Sequence, residues 1–220
     1  MKKNLINILS FVFLFSFLLV SILVLVVDVE MNFRTGTKVG LYTINQSFAK
    51  NYVKDSFDLI SDMILSLSLG SAFVIFGLGL LQFIKNKSFK KVDKDIIVYG
   101  FVWILLIGLW FLFDHVLIFN YRPVLIKGGL EPSFPSTHVL VSTFSLYSAC
   151  YFIKKESDKK YASVISYSIC TIITIALCIF RVASNMHWLT DVIAGFLLGQ
   201  TLHFLFMYYV TKKNTKKIGA

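Results

Sequence analysis

Charged residues divide the chain into six long uncharged apolar runs, over residues 4–27, 63–84, 96–113, 139–153, 161–180 and 192–211. A helix needs about 20 mostly apolar residues to cross the hydrocarbon core. Five of the runs reach or approach that length; the fourth, at 15 residues, reaches it only by taking in Thr137 and His138. Strand-length alternation does not recur, which disfavours a membrane barrel. The pattern predicts an all-α, polytopic bundle of six membrane-spanning helices forming one domain over residues 1–220. The first run exceeds the about 7–15 residues of a signal-peptide core and lacks a small-residue cleavage site after Val27, so it is read as a retained span.

The lysines give the bundle an orientation. Four clusters, at positions 2–3, 85–94, 154–160 and 212–217, occupy alternate connections and hold 15 of the 22 basic residues. By the positive-inside rule both termini are then cytoplasmic. That side carries 15 basic and 4 acidic residues, a net of +11, while the opposite side has 7 and 8, a net of −1. The overall charge of +10 therefore reports topology, and no nucleic-acid partner is expected. Residues 32–57, on the nearly neutral side, place Leu41, Ile44, Phe48 and Val53 at helical spacing, but a loop packed on the bundle is the favoured reading.

Composition agrees: 56% hydrophobic and 15% charged residues stand against roughly 45–50% and 25% in soluble domains, and the mean hydropathy is +0.73. Cys150, Cys170 and Cys178 lie inside apolar runs and read as buried free thiols. Only three arginines accompany the lysines, and this bias, with abundant Ile, Asn and Phe, points to an AT-rich bacterial source.

The candidate chemistry lies on the neutral side. All three prolines, Pro123, Pro132 and Pro135, fall in the connection that also carries Arg122 and Glu131, and His138 opens the next helix. The following connection on that side holds Arg181, His187 and Asp191. Ionisable groups at membrane depth are costly and usually functional. His187 and Asp191, four apart, are predicted to share a helix face, with the carboxylate fixing the imidazole tautomer. Ser136 is a plausible N-cap of the helix that follows, and the start of that helix is suited to an anion. Arg122 and Arg181 offer forks matched to phosphate oxygens. Together these residues describe phosphoryl transfer through a phosphohistidine, and no carboxylate cluster suggests a metal; no cofactor is expected. His203 is too deep in the last helix to join them and is read as a satisfied bundle residue. Gly195 and Gly199 mark a close helix contact.

Arg122-Pro123, Pro135-Ser136-Thr137-His138, and Arg181 followed by His187 and Asp191 resemble the three motifs of the type-2 phosphatidic acid phosphatase family. In that family these read lysine, six residues, Arg-Pro; Pro-Ser-Gly-His; and Ser-Arg, five residues, His, three residues, Asp. The resemblance covers residues 115–191. It implies that His187 is the nucleophile, oriented by Asp191, and that His138 protonates the leaving oxygen and then activates water. Arg122, Arg181, Ser136 and Thr137 would hold the phosphoryl oxygens. Three positions depart from the pattern: His115 stands for the lysine, Thr137 for the glycine and Phe180 for the serine. His115 is accordingly a candidate phosphate ligand, with Asp114 beside it and Lys127 as a possible substitute cation.

The reading is a metal-independent lipid phosphatase of the bacterial plasma membrane, acting on the extracytoplasmic leaflet. Its partners are membrane lipids and a lipid phosphate or diphosphate substrate. Undecaprenyl diphosphate is favoured, and phosphatidic acid and phosphatidylglycerophosphate are the other candidates. A phosphotransferase and a non-catalytic lipid-phosphate-binding protein are the alternatives. The sequence sets no oligomeric state.

Overall fold

The computed structural model describes residues 3–49, 54–157 and 159–218. Its helices are α1 (Lys3–Val26), α2 (Tyr42–Phe48), α3 (Asp55–Asn86), α4 (Lys94–Phe111), α5 (Thr137–Glu156), α6 (Lys160–Ala183) and α7 (Leu189–Ile218). A two-stranded antiparallel hairpin, β1 (Glu30–Asn32) and β2 (Thr37–Val39), joins α1 to α2. The 32–57 segment is thus a hairpin and a seven-residue helix rather than a plain loop; Val53, at the end of the predicted spacing, lies outside the described residues.

Five helices, α1, α3, α4, α6 and α7, are long and apolar enough to cross a membrane. The sixth predicted span, α5, is 20 residues long and sits in the middle of the bundle, against α3, α6 and α7. Its low hydropathy has a packing cause. A helix surrounded by helices need not suit lipid, so α5 carries Ser142, Thr143, Ser145 and Ser148 fully buried; Ser145 returns its hydroxyl to the Val141 carbonyl at 2.7 Å.

The α5–α7 contact depends on the two glycines. A Cβ on Gly195 would lie 2.6 Å from the Ser136 carbonyl oxygen, and one on Gly199 would lie 2.7 Å from Thr143 Cβ and 2.9 Å from the Leu140 carbonyl oxygen. Helix against backbone leaves no flexible atom to give way. Gly195→Ala is therefore expected to cost about 1–3 kcal/mol, the usual range for overpacking, and to displace the Ser136–His138 turn. Thermal unfolding in detergent and turnover per folded molecule would both fall; unchanged values of both would contradict the close contact.

At the lysine-bearing end, buried Asp95 accepts from Tyr151 Oη at 2.9 Å and Lys155 Nζ at 2.7 Å, tying α4 to α5. His203 is buried, 3.3 Å from Ser148 Oγ, as expected of a bundle residue. The three cysteines are free, with Cys150 buried and its sulfur 3.1 Å from that of Cys170.

Candidate active site

The three polar segments meet at the other end of the bundle. Arg122 is carried by an irregular hairpin. Its backbone N–H donates to the Glu131 carbonyl at 3.0 Å, and Ser133 N–H donates to Asn120 at 3.0 Å. The tip, Ile126 to Gly129, is closed by reciprocal bonds of 3.0 and 2.9 Å. Lys127 and Gly128 both take positive φ there, as a two-residue hairpin turn demands. That geometry puts Lys127 on the exposed tip, so it does not replace the family lysine. Arg122 pairs with Glu131 at 3.1 Å.

His187 lies in the short connection before α7, not on the helix as the four-residue spacing predicted. Its Nδ1 is 2.9 Å from the Ser133 carbonyl oxygen and 3.7 Å from Asp191 Oδ2. A carbonyl oxygen can only accept, so Nδ1 carries the hydrogen and Nε2 keeps its lone pair. The hydrogen on Nδ1 is thus held by a backbone oxygen, while the four-residue spacing brings Asp191 beside the ring at ion-pair rather than hydrogen-bond distance. Asp191, fully buried, accepts instead from Trp188 N–H at 3.0 Å and Asn120 Nδ2 at 3.2 Å. Its own carbonyl accepts from Ser136 N–H at 2.9 Å. Asp191 therefore holds the His187 loop, the Arg122 loop and the start of α5 together.

Burial pulls the His187 pKa well below the ordinary imidazole value, with Arg181, Arg122 and His138 acting in the same direction and the Ser133 bond opposing them. That direction favours the neutral ring. The sign for stability follows. Below about pH 6.5 an unfolded imidazole takes up a proton that the folded site disfavours. The stability due to neutral His187 is thus present above that pH and is lost as pH falls toward the lower folded value. Between about pH 7.5 and 5.5, the wild-type chain should lose more thermal stability than His187→Asn. Parallel melting curves would contradict this.

His138 and Arg181 have partners that hydropathy conceals. Helix α3 begins at Asp55, well before the apolar run at residue 63. Its first turns bring Asp58 to Arg181, with Nη1–Oδ1 at 2.5 Å, and Asp62 to His138, with Nε2–Oδ1 at 2.8 Å. An ionised Asp62 can only accept, so His138 Nε2 bears a hydrogen and the other ring nitrogen is not committed to that bond. Arg181 is 1% exposed, and its Nε and second terminal nitrogen have no hydrogen-bond partner among the described residues; the same holds for Arg122 Nε and Ser136 Oγ. Ser136 does precede the first residue of α5, but its hydroxyl makes no capping bond. Buried donors left in this state are rare and call for a functional reason.

A cavity of about 210 Å³ opens between α3, α4 and α5, lined by Thr137, His138, Arg122 and His187 with apolar walls including Leu65 and Trp110. His115 is not among its lining residues. The end of α4 widens into a π turn, Leu112–Val116, closed by Leu117 N–H on the Leu112 carbonyl at 2.7 Å. The extra residue in that turn carries His115 outward, where it stacks on Phe111 at 4.8 Å and pairs loosely with Asp114 at 3.5 Å. Asp114, not His115, lines the cavity. The structure thus does not bring His115 to the cavity that Arg122, His138 and His187 line.

Among the described residues, no group of three or more His, Cys, Asp or Glu has the geometry to hold a metal ion. No curated protein matches the chain significantly. Its fold is similar to the crystal structure of a transmembrane PAP2-type phosphatidylglycerolphosphate phosphatase from Bacillus subtilis. The TM-score is 0.54 at 22% identity, over 77% of this chain and 84% of that one. With five span-length helices and this neighbour, the chain is a multi-pass membrane protein. The PAP2 superfamily profile matches residues 42–215, which take in all three motif segments and every helix that lines the cavity. The chain belongs to the PAP2 superfamily.

Proposed function

We propose that this chain is a lipid phosphatase that works through a phosphohistidine at His187, on the extracytoplasmic face of a bacterial plasma membrane. The observation that carries the reading is the pairing of a nucleophilic lone pair with waiting donors. His187 Nε2 keeps its lone pair under the Ser133 bond, on a cavity lined also by Arg122, and Arg122, Arg181 and Ser136, from the same motif segments, keep unpartnered buried polar atoms. Nε2 attacks phosphorus, the N–P bond forms, and the P–O bond to the lipid breaks. His138 gives its proton to the departing oxygen, then takes one from water as that water attacks the phosphohistidine. Inorganic phosphate leaves after the lipid product, which is the alcohol when the substrate is a monophosphate and the lipid monophosphate when it is a diphosphate. Arg122, Arg181, the Ser136 hydroxyl and the α5 start at Thr137 hold the phosphoryl oxygens, most strongly where charge develops.

The lysine asymmetry, +11 against −1, supports a site on the outer leaflet. An apolar tail can stay in the bilayer while its headgroup reaches His187. The substrate favoured on this sidedness is undecaprenyl diphosphate, with phosphatidic acid and phosphatidylglycerophosphate as the other members of the class. All six long helices, α5 included, are taken to span, with both termini cytoplasmic. The test is phosphate release from each of the three lipids in vesicles, with chelator present. Release from at least one by the wild-type protein but not by His187→Ala is expected. No difference between the two proteins on any of the three would overturn the reading.

A further inference from the structure

The segment before α3 lies outside the three motifs, yet it is bonded to the loops that carry them. Asn45, on α2, is 1% exposed and uses its whole side-chain amide. Its Nδ2 donates to Thr190 Oγ1 and to the Gly40 carbonyl, each at 2.9 Å, and its Oδ1 accepts from Thr190 N–H at 3.1 Å. Thr190 is the second residue of α7, three residues after His187 and adjacent to Asp191.

Helix α7 needs such a partner. The amides of a helix's first turn have no partner within the helix and are usually capped by a Ser, Thr, Asp or Asn just before it. Here Trp188 precedes Leu189 and has no side-chain acceptor. One amide, that of Trp188 itself, is taken by Asp191, and that of Thr190 is taken by Asn45 from 145 residues away. The Asn45 amide is in turn anchored to α1. A Cβ on Gly40 would sit 1.7 Å from the Val24 carbonyl oxygen, so this crossing admits only glycine. Two further bonds of the same segment reach the active-site loops. Asn32 Nδ2 donates to the Pro123 carbonyl at 3.1 Å, next to Arg122, and Lys54 N–H donates to the Ser184 carbonyl at 3.1 Å, at the head of the His187 loop.

We propose that Asn45 is a positioning residue for the phosphatase reaction: by capping α7 through Thr190 it sets where the His187 ring stands relative to the bound phosphoryl group. Its effect belongs to the attack step, because neither Asn45 nor Thr190 lines the cavity. The inference rests on the function proposed above.

The test uses the full-length protein in detergent or vesicles, with Asn45→Ala, Thr190→Val, the double variant and Thr190→Ser, and His187→Ala as the control. Thermal unfolding gives the folded fraction, and rates are expressed per folded molecule. Asn45→Ala should lower kcat roughly 10- to 100-fold, the range for a small misplacement of a reacting group, and Thr190→Val, which loses only the hydroxyl and keeps its N–H on Asn45 Oδ1, should lower it less. KM should stay within about threefold. The double variant should be no worse than Asn45→Ala, since the pair acts as a unit. Thr190→Ser keeps the hydroxyl and should be close to wild type. A merely structural bond would lower the melting temperature and leave kcat per folded molecule unchanged. That result in Asn45→Ala, with His187→Ala inactive, overturns the positioning role while the phosphatase reading stands. Additive losses in the double variant would overturn it equally.

Discussion

Replacement of His187 by alanine is expected to remove phosphate release altogether, to within the background of the assay. The loss should be at least about four orders of magnitude, because a nucleophile that forms a covalent intermediate has no substitute in the site. The neighbouring imidazole is already engaged: His138 is bound through Nε2 to Asp62 at 2.8 Å and opens α5 rather than belonging to the His187 loop. Alanine also leaves the buried Ser133 carbonyl without its donor, at a cost of about 1–3 kcal/mol. Activity must therefore be compared per folded molecule. His187→Asn, which retains a donor, should be as inactive as alanine while melting at a higher temperature. Turnover in either variant above background would mean that another group attacks phosphorus.

The second large effect is expected at His138, and it differs in kind. Loss of a general acid and base costs about 10²–10⁴-fold, and the cost depends on the leaving group. With a lipid alkoxide, which needs a proton, His138→Ala should slow the first step. With p-nitrophenyl phosphate, whose leaving group departs without one, the first step should survive and hydrolysis of the phosphohistidine should become limiting. A burst of about one p-nitrophenol per enzyme, followed by a slow steady rate, is the expected trace. A His138→Ala protein that loses both phases equally, with the fold intact, would assign His138 to phosphate binding rather than proton transfer. Asp62 joins this chemistry through the same ring, and nothing in its sequence context announced it.

That concealment shows what pattern reading reaches. Long apolar runs located the helices because lipid demands apolar surface along a whole span. The motif residues could be gathered to one end because alternate connections must lie on the same side. Gly195 and Gly199 were legible since close approach of helices has few sequence solutions. The failures share a cause. Hydropathy ends a span at its first charge, whereas α3 continues through Asp62 and Asp58 because His138 and Arg181 satisfy them. The central helix α5 reads as the weakest span because protein, not lipid, surrounds it. The His115 register failed at a π turn, which shifts every later side chain around the helix and carries no sequence signal here. Bonds made by backbone carbonyls, such as Ser133 to His187, and by buried amides, such as Asn45 to Thr190, are invisible to residue spacing, since any chain position can supply them.

The most direct test of the account is detection of the covalent intermediate. The His138→Ala protein, in which hydrolysis is slow, would be mixed with ³²P-labelled p-nitrophenyl phosphate, whose leaving group needs no proton, and quenched in alkali, followed by peptide mapping. The account predicts an alkali-stable, acid-labile phosphate on the peptide that carries His187, and none when His187→Ala is added to the same background. A p-nitrophenol burst with no label on His187, or with the label on any other residue, would contradict it.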